Sequence, residues 1–181
     1  RRACEEVAEM VVRSVVRRSR LKELGVGEAA FSAGGVPVPV GATVDIPSDK
    51  KIKTTVTVQN TGSQRLEGFV LYARVSFADT LSDSTGDPES DFNTWHAEEE
   101  ASAFTSRLIT LDPGASTSLD IPGVDASTWV EGTIIDAGVV IYTAEDTTVT
   151  YLDSLKVTDA VRIIAPALRV EITDVTFSET E

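Results

Sequence analysis

The spacing of apolar residues changes period once along this chain, and that change limits what it can fold into. Up to about residue 26, Cys4, Val7, Ala8, Val11, Val12, Val15 and Val16 recur at intervals of three and four, which gives one apolar stripe on a helix from roughly Arg2 to Leu24. Beyond about residue 50 the period is two. Ile52, Thr54, Val56 and Val58 alternate with Lys53, Thr55, Thr57 and Gln59, and Phe69, Leu71, Ala73, Val75 and Phe77 form a second inward row. A single chain with both periods is expected to be a helical segment attached to a β-domain.

Charge divides at the same place. Residues 1–26 hold seven Lys/Arg against four Glu, and the remainder holds nine against twenty-five Asp/Glu, so a segment of +3 precedes a body of −16. Within the helix, Glu5, Glu6 and Glu9 precede Arg13, Arg17, Arg18, Arg20 and Lys22, an order that offsets the helix dipole and permits a Glu9–Arg13 pair. Gly25 is the expected stop. Valine is a moderate helix former, so the stripe needs a packing surface, either its own body or a neighbour, with a membrane surface or nucleic acid met by the Arg cluster as a further alternative that lacks Trp and Phe anchors on the apolar face. An acidic body repels phosphate backbones, which argues against nucleic acid as its partner. Charged residues such as Glu9 and Arg13 break every apolar run well short of a membrane span.

Three segments follow from these patterns: a basic amphipathic docking or oligomerisation arm at 1–26, an extended Gly/Pro connection at 27–49 whose residues 31–49 are either a linker or an edge strand, and an acidic β-domain at 50–181 with an insertion at 79–103. Gly25-Val-Gly27-Glu-Ala-Ala30 formally matches a dinucleotide-binding fingerprint, but it lacks a preceding strand and is set aside. Further strands are expected at 104–111, 116–121, 132–143, 148–152, 155–164 and 167–177, separated by Asp112-Pro113-Gly114, Pro122-Gly123, Glu145-Asp146 and Pro166. The predicted fold is mainly β, an immunoglobulin-like or jelly-roll sandwich preceded by the amphipathic helix.

The stretch Val56-Thr57-Val58-Gln59-Asn60-Thr61-Gly62, the strand at 66–77 and Leu111-Asp112-Pro113-Gly114-Ala115-Ser116 resemble the immunoglobulin-like domains of the CARDB kind found on archaeal and bacterial surfaces. That resemblance implies adhesion, spacing or assembly in an extracellular, cell-surface or virion setting rather than catalysis. Departures from it are the N-terminal helix, the acidic insertion and a single copy of the domain.

Residues 79–100 contain eight Asp/Glu and no Lys or Arg. They read as a solvated loop, or as a calcium site in which Asp83, Asp87, Glu89 and Asp91 supply hard oxygen ligands, although the EF-hand spacing is absent. Phe92 and Trp95 either form a contact surface at its tip or fold it onto the body. The single Cys4 and single His96 exclude a Cys/His zinc cluster, and no Gly-x-Ser-x-Gly elbow presents a nucleophile. No cofactor is implied beyond the calcium alternative, and the chain is not expected to be an enzyme.

The function expected from sequence is therefore that of a structural or assembly subunit, with copies of itself or another structural protein as partners. It would associate through Val7, Val11 and Val15, or through a terminal strand presenting Leu168, Val170 and Ile172. The alternative is a binding module or adhesin whose acidic 79–100 loop recognises a cation, a carbohydrate or a protein.

Overall fold

A computed structural model describes residues 23–34, 41–145 and 148–167. The expected helix with Val7, Val11 and Val15, and the expected strand with Leu168, Val170 and Ile172, lie outside the described residues.

The described chain is mainly β and forms two sheets. Its elements are β1 (Leu24–Ser32), β2 (Val44–Pro47), β3 (Lys51–Asn60), β4 (Leu66–Ala78), α1 (Pro88–Glu98), β5 (Ala101–Leu111), β6 (Ser116–Asp125), a 3-10 turn (Ala126–Thr128), β7 (Ile134–Glu145) and β8 (Thr148–Ile164). One sheet has the order β1-β3-β6, and the other β2-β8-β7-β4-β5. All pairings are antiparallel except that of β2 with β8.

The period-two pattern does what it predicts. Ile52, Val56 and Val58 from β3 and Leu71, Ala73, Val75 and Phe77 from β4 are fully buried. They meet Ile135, Val139 and Ile141 of β7 and Leu119 and Ile121 of β6 in one core. Phe77 makes edge-on contacts with Phe31 and Trp129, at 6.0 and 6.2 Å between ring centres. Polar clasps join the margins of the two sheets. Val26 N donates to Asp153 Oδ2 at 2.7 Å where β1 meets β8, and Arg107 Nη1 donates to the Ser118 carbonyl at 3.2 Å where β5 meets β6.

Three expectations need correction. Gly25 does not end a helix, because it lies within β1, and the expected connection at 27–49 contains most of β1 and all of β2. The β-body thus begins near residue 24 rather than 50. Alternation in β1 was hidden by a bulge between Val26 and Glu28, which moves the inward positions from Leu24 and Val26 to Ala29 and Phe31. Third, the strands expected at 148–152 and 155–164 are one strand, β8, whose irregularities facing β7 include Asp159 at φ 51°.

Asn60 explains the turn seen in the sequence. Its side chain is fully buried, Nδ2 donates to the carbonyls of Gln64 (2.8 Å) and Leu111 (3.1 Å), and Oδ1 accepts from Gly62 N (3.0 Å). One amide therefore fixes the β3–β4 turn and ties it to the end of β5. Asn60→Ala strands a buried amide hydrogen and carbonyls together, at about 1–3 kcal/mol for each buried group left unsatisfied. Chemical denaturation is expected to show a loss of about 2–4 kcal/mol, whereas Gln59→Ala, at an exposed neighbour, should change stability by less than about 0.5 kcal/mol.

Candidate functional site

A five-stranded sheet has two faces, and the three-stranded sheet covers only one of them. Opposite the inward row of β4, the outward row is Val70, Tyr72, Arg74 and Ser76. Register sets Val70 beside Leu108, Tyr72 between Ser106 and Tyr142, and Arg74 between Phe104 and Val140. On the far side Tyr142 pairs with Tyr151, Val140 with Ser154, and Ala144 with Val149.

The acidic insertion covers half of this outer face as a helix rather than a loop. Asp87 is the N-cap of α1, accepting from Glu89 N at 3.2 Å, and Pro88 occupies the first turn, where its missing N–H costs nothing. Trp95 is buried, with Nε1 donating to the Ser82 carbonyl at 2.8 Å. Its ring lies flat against Gly138 of β7, where an added Cβ would stand 2.5 Å from Trp95 Cε3. Ala78, Leu81, Val140, Phe92 and Tyr151 complete this second apolar cluster. Trp95 thus folds the insertion onto the body, one of the two roles open to it from sequence.

Cations that the insertion lacks come from the sheet beneath it. Arg74 Nη2 donates to Glu99 Oε1 and to Ser102 Oγ (2.8 Å), and lies 3.1 Å from His96 Nδ1. Burial pushes the Glu99 carboxyl up, but hydrogen bonds from Ser76, His96 and Ser102 and the Arg74 charge outweigh it and hold the group below its ordinary value. Lys156 of β8 reaches the Leu81 carbonyl, Asp83 (3.0 Å) and Asp136 (3.2 Å).

The four expected calcium ligands are not brought together. Asp83 pairs with Lys156, Asp87 caps α1, and Glu89 is exposed in the first helical turn. Asp91 is buried and accepts from Ser84 Oγ (2.5 Å), Thr85 N (2.7 Å), Thr85 Oγ1 (2.8 Å) and Ser154 Oγ (2.6 Å). Among the described residues no group of three or more His, Cys, Asp or Glu side chains is placed to hold a metal ion. No helix among them is long and apolar enough to cross a membrane.

The other half of the outer face is open. Leu108 is 67% exposed, Val149 45% and Val70 39%, and together with exposed Ala144 they form an apolar belt over β5, β4, β7 and β8, with Phe104, 56% exposed, four residues along β5 from Leu108. Beside it stands a half-buried aromatic row. Tyr72 and Tyr142 stack at 5.2 Å and 9°, Tyr151 packs on Tyr142 at 5.9 Å, and Phe92 of α1 packs on Tyr151 at 5.0 Å. The Arg74 guanidinium lies 5.7 Å from the Phe92 ring centre. A cleft of about 450 Å³ opens between the start of α1 and β8, lined by Asp87, Pro88, Glu89, Val149, Thr150, Tyr151 and Leu152. Sequence reading did not single out the belt or the tyrosine row, because their members stand up to about eighty positions apart and only strand register joins them.

No family model matches the sequence, and no curated protein matches it. Among solved structures it is similar to the C-terminal domain of wzt, at 10% identity and a TM-score of 0.43 over 87% of this chain and 84% of that one. It is also similar to a β-glucuronidase from Bacteroides uniformis (12% identity, TM-score 0.39, 74% of this chain) and to the β-glucosidase EmGH1 from Erythrobacter marinus (13%, 0.33, 75%). This chain spans only 14% and 15% of those two enzymes' chains. Likeness at this level carries no argument about function.

Two outcomes follow. Gly138→Ala should force Trp95 off its seat and cost about 1–3 kcal/mol, the usual penalty of overpacking, read as a lower melting temperature with loss of tryptophan burial. The second concerns pH. Burial raises the Asp91 pKa, but hydrogen bonds from Ser154, Ser84 and Thr85 overcome this and set it below the ordinary value. Its contribution is therefore complete above the pH at which an unfolded Asp titrates, about 3.9, and fades as pH falls through the lower folded value. Asp91→Asn should melt below wild type at neutral pH, and the gap should close in acid below about pH 4.

Proposed function

We propose that this protein is a non-enzymatic assembly subunit whose docking surface is the apolar belt on the outer face of the five-stranded sheet. We read its two sheets as an immunoglobulin-like sandwich, the architecture that the CARDB resemblance implies. One observation carries the reading: the helix that covers this outer face stops halfway, leaving Leu108, Phe104, Val70 and Val149 in solvent beside the tyrosine row. Exposed apolar side chains gathered on one sheet face mark contact sites, and tyrosines beside them suit such a surface by combining apolar area with a polar tip. The carboxylates of half-buried Glu99 and buried Asp91 support a structural role for the insertion, since they are engaged by Arg74, Ser154 and their neighbours.

Leu108→Glu tests the proposal, because Leu108 is exposed and its replacement leaves the core untouched. Light scattering after size-exclusion chromatography is expected to find wild type associating with rising concentration and the variant monomeric, with melting temperatures of the monomeric units within about 2 °C, as for a surface substitution away from the core. Wild type that stays monomeric at every concentration would overturn the reading and direct attention to the Asp87–Tyr151 cleft as a small-ligand site.

A further inference from the structure

We infer that the belt is occupied by the basic amphipathic segment 1–22 of a second copy of this chain. The inference rests on the assembly reading and names the partner at the same surface.

Three observations select this occupant. The first is shape. The stripe from Cys4 to Val16 would span about 18 Å on a helix at 1.5 Å per residue, and the belt crosses four strands, about 14 Å at 4.8 Å spacing. Small Val and Ala side chains let a helix seat closely against the exposed Leu108, Val70, Ala144 and Val149.

Charge is the second. Residues 1–22 carry seven Lys/Arg against three Glu. The belt's margin at Val149 carries the exposed carboxylates of Asp87 and Glu89, which line the same cleft. A basic stripe meets an acidic margin beside an apolar centre.

The third is where the β-body is anchored. Glu23 is held at the end of β3, its carbonyl accepting from Thr61 N (2.8 Å) and Thr61 Oγ1 (2.7 Å), and Leu24 is already the first residue of β1. That anchor belongs to the three-stranded sheet. To lie on the outer face of its own five-stranded sheet, a helix would have to clear the β8 margin and sit about 10 Å beyond that sheet. The helix expected from the sequence runs up to this anchor, which leaves too short a connection for that turn. A neighbouring copy has no such tether, so the same segment reaches the belt between molecules.

Cys4 is the chain's only cysteine and stands at one end of the stripe, which makes cross-linking the direct test. Two full-length chains of distinguishable mass are mixed and mildly oxidised. One is wild type, and the other is Cys4→Ser with Leu108→Cys at one margin of the belt or Val149→Cys at the other. A disulfide heterodimer between Cys4 and one of the two belt cysteines is expected, confirmed by peptide mass. It should be reduced at least tenfold when the wild-type partner carries Val11→Asp, and should be at background with Ser118→Cys on the three-stranded sheet. A chain carrying both Cys4 and the belt cysteine that closes only an internal disulfide would overturn the inference in favour of docking on its own body. If wild type associates and Leu108→Glu prevents it, yet Cys4 joins neither belt position, the inference fails while the assembly reading stands. A wild type that never associates defeats the assembly reading itself.

Discussion

The five-stranded sheet has an apolar requirement on both faces, and the three-stranded sheet can satisfy only one. Much of the remaining structure answers that constraint. The inward face closes on β3 and β6 through Val56, Leu119, Val75 and Ile141. The outward face needs a separate cover, and the chain supplies it by inserting α1 between β4 and β5, the two strands whose connection passes over that face. Trp95 is the point of contact, and Gly138 is the absence of a side chain that allows it.

This arrangement gives the acidity of residues 79–100 a local meaning. A run of eight carboxylates with no cation of its own is a poor candidate for folding in isolation. Laid over Arg74 and Lys156 it becomes complementary to the sheet, and hydroxyls from Ser76, Ser84 and Ser154 donate to the carboxylates of Glu99 and Asp91. Low dielectric strengthens each of these contacts and makes any unpaired member costly. The insertion is thus locked by polar groups around one aromatic anchor, and its reach ends where those groups end.

Legibility followed from periodicity. Strands β3 and β4 could be read from Ile52 to Phe77 because their alternation is unbroken, and the Asp112-Pro113-Gly114 turn was equally plain. β1 was missed because the bulge at Gly27 shifts its phase, and β2 stayed undecided between linker and edge strand because four residues with one buried side chain hold no period. For α1 the signal existed, Asp87 followed by Pro88, but the surrounding carboxylates suggested a loop. The belt lay beyond reach altogether: Leu108, Val70 and Val149 are each unremarkable, and it is pairing between distant strands that gathers them.

The two ends of the described chain leave from opposite poles. Glu23 sits beside Thr61, where β3 ends, while Ile164 lies beside Ser48, at the opposite ends of the strands. Tension applied between residues 23 and 167 would slide β1 along β3 and β8 along β7, loading eight register pairs in one ladder and eleven in the other at once. Hydrogen bonds strained together in shear yield far more slowly than a ladder opened one rung at a time, and forced unfolding is governed by that rate. A unit of this topology, joined through its ends, resists pulling along the direction of its strands.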